Sequence, residues 1–213
     1  MEGTVAKWYA RLTQKSIQDY KDLAARMAAE LEPGARVLEV APGPGYFAIE
    51  LAKLGHFAIT GLDISATCVQ IARENARKEN VEVAFHQGDV SEMPFASNTF
   101  DFVFCRAAFK NFSAPVRALE EMHRVLKPDG RAVIIDLRRD APVDAVNHAI
   151  NGMNLGVING MLTKLTFRFM LLKRAYTKPE LEDFLAQTAF QHGEIREHPM
   201  GFEIWLTKRQ PSA

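Results

Sequence analysis

This 213-residue chain has few or none of the features that mark secreted and membrane proteins. It has two cysteines, Cys68 and Cys105, too few for the disulfide framework of a small secreted protein. No apolar run approaches the roughly 20 residues that span a bilayer, and residues 1–11 lack the apolar core of a signal peptide. These absences favour the cytoplasm and argue against a membrane segment.

An excess of charge of one sign is also missing. Lys and Arg together number 26, as do Asp and Glu, so the formal net charge at pH 7 is zero. Nucleic acids and anionic membranes attract proteins through a positive field, so neither partner is expected. No grouping of His, Cys and Asp has the spacing of metal ligands, and no metal is predicted. The expected partner is a small molecule, and a homodimer is left open.

The strongest pattern that is present is an alternation of short apolar runs with amphipathic segments. Strands that alternate with helices form right-handed βαβ units, which predicts a mostly parallel sheet with helices on both faces. Apolar runs of this kind are typical of strands covered on both faces. The predicted parallel strands are Arg36–Val40, Phe57–Leu62, Val81–His86, Phe100–Cys105 and Arg131–Leu137.

The end of the chain carries two further strand-like runs, Gly193–His198 and Phe202–Lys208. Parallel neighbours need a crossover of about a dozen residues or more, which the short Pro199–Gly201 segment does not provide. The last strand is therefore predicted to pair antiparallel with its predecessor, in an α/β sheet of seven strands.

Local signals predict where elements begin and end. Ser65 and Ser113 are placed to cap helices, and Thr177 with Glu180 forms the sequence of a capping box. Lys127–Gly130 has the composition of a turn.

The chain, 1–213, is interpreted as one domain. Residues 1–32 are expected to form N-terminal cap helices, and residues 36–137 the ligand-binding core. Residues 140–176 break the alternation and are interpreted as an inserted substrate cap, followed by a helix and hairpin at 177–209.

Acidic residues lie at or just after the ends of three predicted strands, and ligands of open parallel sheets bind at these carboxyl ends. Glu39 could bind a cationic ammonium, and Asp63 could accept hydrogen bonds from both hydroxyls of a ribose. Asp89 could accept from the exocyclic amine of an adenine, while the backbone of Val90 meets a ring nitrogen.

A glycine-containing loop follows the first strand, and its interpretation has an alternative. Gly43, Gly45 and Ala48 satisfy the G-x-G-x-x-A fingerprint of dinucleotide-binding proteins, so a nicotinamide or flavin enzyme is a competitor. However, Glu39 would repel a pyrophosphate, and the antiparallel terminal hairpin is foreign to the simple dinucleotide-binding half. A ligand with a ribose, an adenine and an ammonium, but no phosphate, fits better.

Five motifs, taken in order, resemble those of a known family. They are VLEVAPGPGYFAIELAK (Val37–Lys53), GLDIS (Gly61–Ser65), QGDVSEMPF (Gln87–Phe95), FDFVFC (Phe100–Cys105) and EEMHRVLKPDGRAVIID (Glu120–Asp136). The chain resembles class I S-adenosylmethionine-dependent methyltransferases, and in particular the group of ubiquinone/menaquinone-biosynthesis methyltransferases. The resemblance implies a Rossmann-like methyltransferase fold, S-adenosyl-L-methionine as cofactor and S-adenosyl-L-homocysteine as product.

The resemblance also implies roles for individual residues. Glu39 and Gly43 would hold the methionine end of the cofactor, and Cys105 with Arg106 would line the floor near it. Asp63 would hold the ribose, and Asp89 with Val90 the adenine. The full predicted cofactor-binding set is Glu39, Ala41, Gly43, Gly45, Asp63, Ile64, Gly88, Asp89, Val90, Cys105 and Arg106.

The sequence departs from the family pattern in two places. Ala41 stands where the loop usually has its first glycine, a modest change if that residue has an ordinary φ. The stretch Ala107–Phe112, often His-bearing in this group, contains Lys110 instead.

The expected acceptor is a small molecule that is methylated on an O, N or S atom. Lys110 and His148 are the predicted candidates for a base that removes a proton from a hydroxyl or amine. Tyr9, Asp136 and Arg168 are the predicted substrate-binding residues, with Tyr9 in a lid and Arg168 meeting an anionic group. The alternatives are a non-methylating cleavage or cyclisation with the same cofactor, a nicotinamide-dependent oxidoreductase, and a binding module without turnover.

Overall fold

A computed structural model describes residues 2–4, 6–7, 10, 17–151 and 172–209. The predictions for Tyr9 and Arg168 lie outside the described residues, as does most of the predicted substrate cap. In chain order the elements are α1 (Ile17–Ala28), β1 (Arg36–Val40), α2 (Tyr46–Ala52), β2 (Ala58–Asp63), α3 (Ala66–Lys78), β3 (Ala84–Gln87), β4 (Phe100–Arg106), α4 (Pro115–Val125), β5 (Leu126–Leu137), α5 (Val143–Asn151), α6 (Leu172–Arg174), α7 (Lys178–Ala186), β6 (Glu194–Glu197) and β7 (Gly201–Thr207).

The strands form a seven-stranded sheet in the order β3-β2-β1-β4-β5-β7-β6. The pairs among β1 to β5 are parallel, whereas β7 lies antiparallel to both β5 and β6. The predicted mostly parallel sheet with an antiparallel last strand is confirmed. The strand order reverses between β1 and β4, so the carboxyl ends of these two strands border the crevice where ligands of such sheets bind.

Helices cover both faces of this sheet, as predicted. On one face α4 and α7 pack on a core that includes Val103, Leu119, Ile134 and Leu185. On the other face α1, α2 and α3 bury residues such as Met27, Phe47 and Phe104 against the strands. The rings of Phe47 and Phe104 stack with centroids 4.0 Å apart.

Two of the predicted helix caps are present in the structure. The hydroxyl of Ser65 accepts from the backbone N–H of Cys68 at 3.1 Å. The Glu180 carboxylate accepts from the backbone N–H and the hydroxyl of Thr177, both at 2.8 Å, as a capping box requires. The predicted cap at Ser113 is wrong, because the helix begins one residue later, after Ala114, with no side-chain cap.

The third strand begins at Ala84 rather than at Val81. Asn80 has a φ of 54°, and the N–H of Val81 donates to the carbonyl of Ala76 at 3.1 Å. This is the Schellman arrangement, in which the residues after a helix satisfy its last carbonyls. Residues 81–83 are therefore used to end α3 and not to extend the strand.

The predicted turn at Lys127–Gly130 lies inside β5 as an irregularity of the strand. Phe100 pairs with Leu126, but Phe102 pairs with Arg131, so the register shifts between them. Asp129 has a φ of 63°. The predicted turn is therefore wrong, because these residues form an irregular part of the strand, which begins at Leu126 and not at Arg131.

Among the described residues, no helix is long and apolar enough to cross a bilayer.

Candidate functional site

The loop between β1 and α2 brings backbone to the carboxyl edge of the sheet. Gly45 precedes α2 with a φ of 79°, and a Cβ placed there would lie 2.8 Å from the ring of Phe85. Both the conformation and the close packing exclude larger residues at this position. The start of α2 is therefore set close above β2 and β3.

Ala41, at the position where the family usually has glycine, does not have an ordinary φ. Its φ is 55°, in the left-handed region, and its N–H donates to the carbonyl of Leu62 at 2.8 Å. The left-handed conformation costs a residue with a Cβ about 1–2 kcal/mol. Alanine in place of glycine was expected to be a modest change only with an ordinary φ at this position, and the φ of Ala41 is not ordinary.

We expect Ala41→Gly to stabilise the protein by about 1 kcal/mol, because relief of this strain exceeds the entropy that glycine adds to the unfolded chain. The midpoint of thermal unfolding should rise by about 2–4 °C. Ala52→Gly, at the end of α2, is the matched control and should lower the midpoint, since glycine disfavours a helix. An unchanged or lower midpoint for Ala41→Gly would contradict the strain.

Glu39 lies in β1 and is 4% exposed. Its Oε2 accepts from the backbone N–H of Ala48 in α2 at 3.1 Å. Burial, with a smaller contribution from the nearby Asp63, raises the pKa of the carboxyl from 4.5 to about 8, although the Ala48 N–H and Arg106 oppose the shift. A buried carboxyl with this pKa gains its charge readily when a cation arrives.

Asp63 ends β2 and connects two loops at this edge. Its Oδ2 accepts from the N–H of Gly43 at 3.0 Å and its Oδ1 from the N–H of Ser65 at 2.8 Å. Burial raises the pKa of this carboxyl, and the two backbone hydrogen bonds oppose that effect. Each oxygen keeps a further lone pair, so the carboxylate can also accept from a pair of hydroxyls.

A cavity of about 110 Å³, the small cavity, lies beside these residues. Ile64, which is 63% exposed, and Gly88–Ser91 form one side of it. The Oδ1 of Asp89 accepts from the N–H and hydroxyl of Ser91 at 2.8 and 2.7 Å, which lowers the pKa of the carboxyl. The structure thus places the predicted adenine-binding residues Asp89 and Val90 on the wall of one small cavity.

The opposite wall of the small cavity is formed by Asn111–Ala114, which the sequence analysis did not include. This segment follows β4 and approaches Ile64 only through the fold. Its composition carries no signal of binding, and its position after a strand at the switch in strand order was the one available clue.

A second space of about 900 Å³, the large cavity, lies between α1 and the ends of β4, β5 and β7. Arg106 and Ala107 border it where β4 ends. Its apolar wall includes Leu23, Ile135, Leu137, Met200 and Phe202.

Arg106 lies at the inner edge of the large cavity. Its guanidinium stacks over the ring of Tyr20, 4.7 Å from the centroid. Its Nη1 is buried and has no hydrogen-bond partner among the residues that the structure describes. Buried donors are nearly always paired, so an orphaned guanidinium nitrogen points to a ligand that completes the site.

Cys105 precedes Arg106 but faces the other side of the sheet, where it is buried in the core with Val103 and Ile134. Burial raises the pKa of its thiol, so the thiol stays protonated.

The structure joins Lys110 to Asp136 in a buried ion pair. Their side chains are 4% and 7% exposed, and Nζ lies 2.8 Å from Oδ1. The ammonium also donates to the carbonyl of Ala107 at 2.6 Å, and the backbone N–H of Lys110 donates to Asp136 Oδ2 at 2.9 Å. These contacts tie the segment after β4 to the end of β5.

His148, the other predicted base, lies on α5 and is exposed. His148 is not among the described residues that line the large cavity. Within the same described part of the chain, no three metal-ligating side chains lie together.

The arrangement fits the predicted cofactor, S-adenosylmethionine. Buried carboxyls stand at the ends of β1 and β2, and the small cavity lies beside the residues that follow β3. The unpartnered Nη1 of Arg106 offers a donor at the far end of the same edge.

Comparison with known proteins agrees with this arrangement. Residues 31–202 match the family model described as "Methyltransferase domain". The demethylmenaquinone methyltransferase of Chlorobaculum parvum is 36% identical over 186 residues, which cover 84% of this chain and 74% of that protein. The ubiquinone/menaquinone biosynthesis C-methyltransferase UbiE of Bdellovibrio bacteriovorus is 33% identical over 133 residues, covering 61% and 57% of the two chains.

The fold also matches a crystal structure of a proposed S-adenosyl-L-methionine-dependent methyltransferase from Methanococcus maripaludis. The TM-score is 0.77 at 21% identity, over 97% of this chain and 93% of the other. The chain therefore belongs to the class I S-adenosylmethionine-dependent methyltransferases, in the group that contains the ubiquinone/menaquinone-biosynthesis enzymes.

Proposed function

We propose that the large cavity binds a quinol-type or phenolic acceptor and that its ring receives the methyl group of S-adenosylmethionine. The observation that carries this proposal is the position of the large cavity. The cavity begins at Arg106 and Ala107, where β4 ends, and β4 is the neighbour of β1, the strand that contains Glu39. Its apolar wall, with Ile135, Leu137 and Met200, suits an aromatic ring. The names of relatives, demethylmenaquinone methyltransferase and C-methyltransferase, support the same acceptor class.

The proposal thus adds a ring carbon to the acceptor atoms predicted from the sequence, which were O, N and S. When bound, the cofactor supplies an electrophilic methyl group on a positively charged sulfur. For a ring carbon, the new C–C bond forms as the C–S bond breaks, and the ring then loses a proton. Loss of the proton from a neighbouring ring hydroxyl makes that carbon nucleophilic. The tasks of the protein are to align the ring with the methyl group and to exclude water.

The roles of the site residues form part of this proposal. Glu39, Gly43 and Asp63 would hold the methionine and ribose parts, and Ile64, Asp89 and Val90 the adenine. At Ala41, Gly45 and Gly88 the backbone would approach the cofactor closely. Cys105 would pack beneath the residues that contact the methionine part.

For Lys110 we favour positioning over proton removal, because Asp136 and Ala107 already accept from its ammonium. Asp136, paired with Lys110, would then affect the acceptor only by holding the wall of the large cavity in position. The predicted roles of His148 as base and of Tyr9 and Arg168 in substrate binding stay predictions. A cytoplasmic location is also proposed, and the two buried free cysteines suit a reducing compartment.

The test is incubation with methyl-labelled S-adenosylmethionine and a panel of acceptors, namely a short-chain naphthoquinol, simple phenols, thiols, amines and carboxylates. We expect label on a ring carbon or a hydroxyl oxygen of the quinol or phenol, located by mass spectrometry. Glu39→Gln is the control for loss of cofactor binding. Label found only on thiols, amines or carboxylates would overturn the acceptor class, and cofactor breakdown without transfer would overturn methyl transfer itself.

A further inference from the structure

One wall of the large cavity is a row of register partners that crosses four strands. Arg106 of β4 pairs with Ile135 of β5, and Ile135 pairs with Glu203 of β7. Glu203 pairs in turn with Arg196 of β6. Register partners point to the same face of a sheet, and all four residues border the large cavity. The side chain of Arg106 therefore faces this cavity, where it stacks over Tyr20 of α1.

The charges along this cross-strand row are balanced at its outer end but not at its inner end. Arg26 of α1 and Arg196 lie 2.7 and 3.6 Å from the carboxylate of Glu203. Two strand spacings, about 10 Å, separate the backbone of Glu203 from that of Arg106. Within the described part of the chain no ion pair includes Arg106, and its buried Nη1 has no hydrogen-bond partner.

The other carboxyls around the inner end do not neutralise this cation. Asp136 already has its own ammonium partner at 2.8 Å. Asp19 and Asp22 of α1 also border the cavity, but both are exposed, so water and salt screen their charges. Glu39 feels the charge of Arg106, which lowers the pKa of this carboxyl, but the two form no ion pair. The inner end of the row thus offers a positive charge to a ligand.

The bases that were predicted from the sequence are not available at this place. The ammonium of Lys110 donates to Asp136 and to the carbonyl of Ala107, and His148 is not among the described residues that line the cavity. A cation beside an acceptor hydroxyl provides another route. It stabilises the ionised form of the hydroxyl, so that water can take the proton.

We propose that the large cavity binds its acceptor as a phenolate, with Arg106 Nη1 donating to the phenolate oxygen and the ring lying against Ile135. The hydroxyl gives its proton to water, and the negative charge makes the oxygen and the adjacent ring carbon nucleophilic. The bond to the methyl group forms as the C–S bond breaks, and a methylated ring carbon then loses its own proton to water.

This phenolate site rests on the proposed function in taking a phenolic acceptor. It assigns Arg106 to the acceptor, whereas the family resemblance implies a place for this residue near the methionine end of the cofactor. Hydrogen bonds between two charged groups are among the stronger ones in proteins. The ionised acceptor should therefore bind about 10- to 100-fold more tightly than the neutral one.

The experiment uses 4-nitrophenol as the probe, because its ionised form absorbs at a longer wavelength than its neutral form. The probe is titrated at several pH values into protein saturated with S-adenosylhomocysteine, which lacks the sulfonium charge, so the preference reports on the protein. We expect the ionised probe to bind about 10- to 100-fold more tightly than the neutral probe. The bound probe should therefore ionise at a lower pH than the free probe.

Three variants separate the charge of Arg106 from its packing. In Arg106→Met the preference should fall to about threefold or less, because the cation is gone. Arg106→Lys keeps a positive charge and should keep part of the preference. Arg196→Met, at the other end of the same row, is the matched control and should keep all of it, since Glu203 already balances Arg196.

Several outcomes would overturn the phenolate site. A wild-type preference below about threefold does so without any variant, and so remains decisive if Arg106→Met fails to fold. A full preference in Arg106→Met would show that another group holds the phenolate, and weaker binding of S-adenosylhomocysteine in that variant would then assign Arg106 to the cofactor. Failure of 4-nitrophenol to bind at all would contradict the phenolic acceptor, and the proposed function with it. Binding without a preference would contradict the phenolate site alone.

Discussion

Affinity for S-adenosylhomocysteine is expected to rise about tenfold for each pH unit between about pH 6 and pH 8. Burial raises the pKa of Glu39 to about 8, so this carboxyl is mostly protonated below that pH. Binding of an ammonium requires the ionised form, and its fraction grows tenfold per unit until the pKa is reached. Above about pH 8 the increase should stop.

Titration calorimetry at several pH values measures this dependence directly. At about pH 7, binding should also release close to one proton from Glu39, which appears as a dependence of the heat on the buffer. Glu39→Gln should bind at least about 30-fold more weakly at pH 8 and show a flat profile, because a buried partner of the ammonium is lost. A pH-independent affinity in the wild-type protein would show that Glu39 does not meet the ammonium.

The groups that face Glu39 determine the direction of this effect. Asp63 raises the pKa of Glu39, whereas Arg106 and the N–H of Ala48 lower it. The sign for stability is opposite to that for binding. In the unfolded chain Glu39 ionises near 4.5, but in the folded protein without cofactor it keeps its proton up to about pH 8. This group therefore makes the cofactor-free protein less stable as the pH rises through that range.

Lys110→Met should destabilise the protein by about 3–5 kcal/mol, because it leaves the buried carboxylate of Asp136 without its cation. The midpoint of thermal unfolding should fall by roughly 10 °C. Differential scanning calorimetry in the absence of cofactor measures this change.

The chain offers a closely matched control in Lys127 and Asp101. This pair has the same Nζ–Oδ1 distance of 2.8 Å and joins β4 itself to β5, but its side chains are 38% and 37% exposed. Lys127→Met should cost no more than about 1 kcal/mol, because water screens the pair. The double variant Lys110→Met/Asp136→Asn should recover much of the loss, since the buried charge is gone and an acceptor oxygen remains. Similar losses for Lys110→Met and Lys127→Met would contradict a special role for the buried pair.

Most of the fold could be predicted because its signals are local. Apolar runs locate strands, and caps such as Ser65 and the Thr177–Glu180 box locate helix starts by contacts within one turn. Where prediction failed, a neighbouring contact decided the outcome. Val81 was expected to begin a strand, but its N–H is used to end the preceding helix.

The candidate site was predictable to the extent that strand polarity determines it. Glu39 and Asp63 lie at the carboxyl ends of β1 and β2, and Asp89 lies just after β3, so their shared edge follows from the topology. The wall Asn111–Ala114 could not be found in this way, because nothing in its composition differs from an ordinary connection.

The sequence by itself determined the α/β sheet, its antiparallel last strand, the glycine loop and the acids at the strand ends, because periodicity and caps act over a few neighbouring residues. Only the tertiary structure decided that Ala41 is left-handed, that Lys110 pairs with Asp136, and that Arg106 stacks on Tyr20 while its Nη1 finds no partner in the described part of the chain. These features join residues far apart in the chain. Strand register and the packing of α1 bring them together, and the free energy of each contact depends on burial that no local pattern encodes.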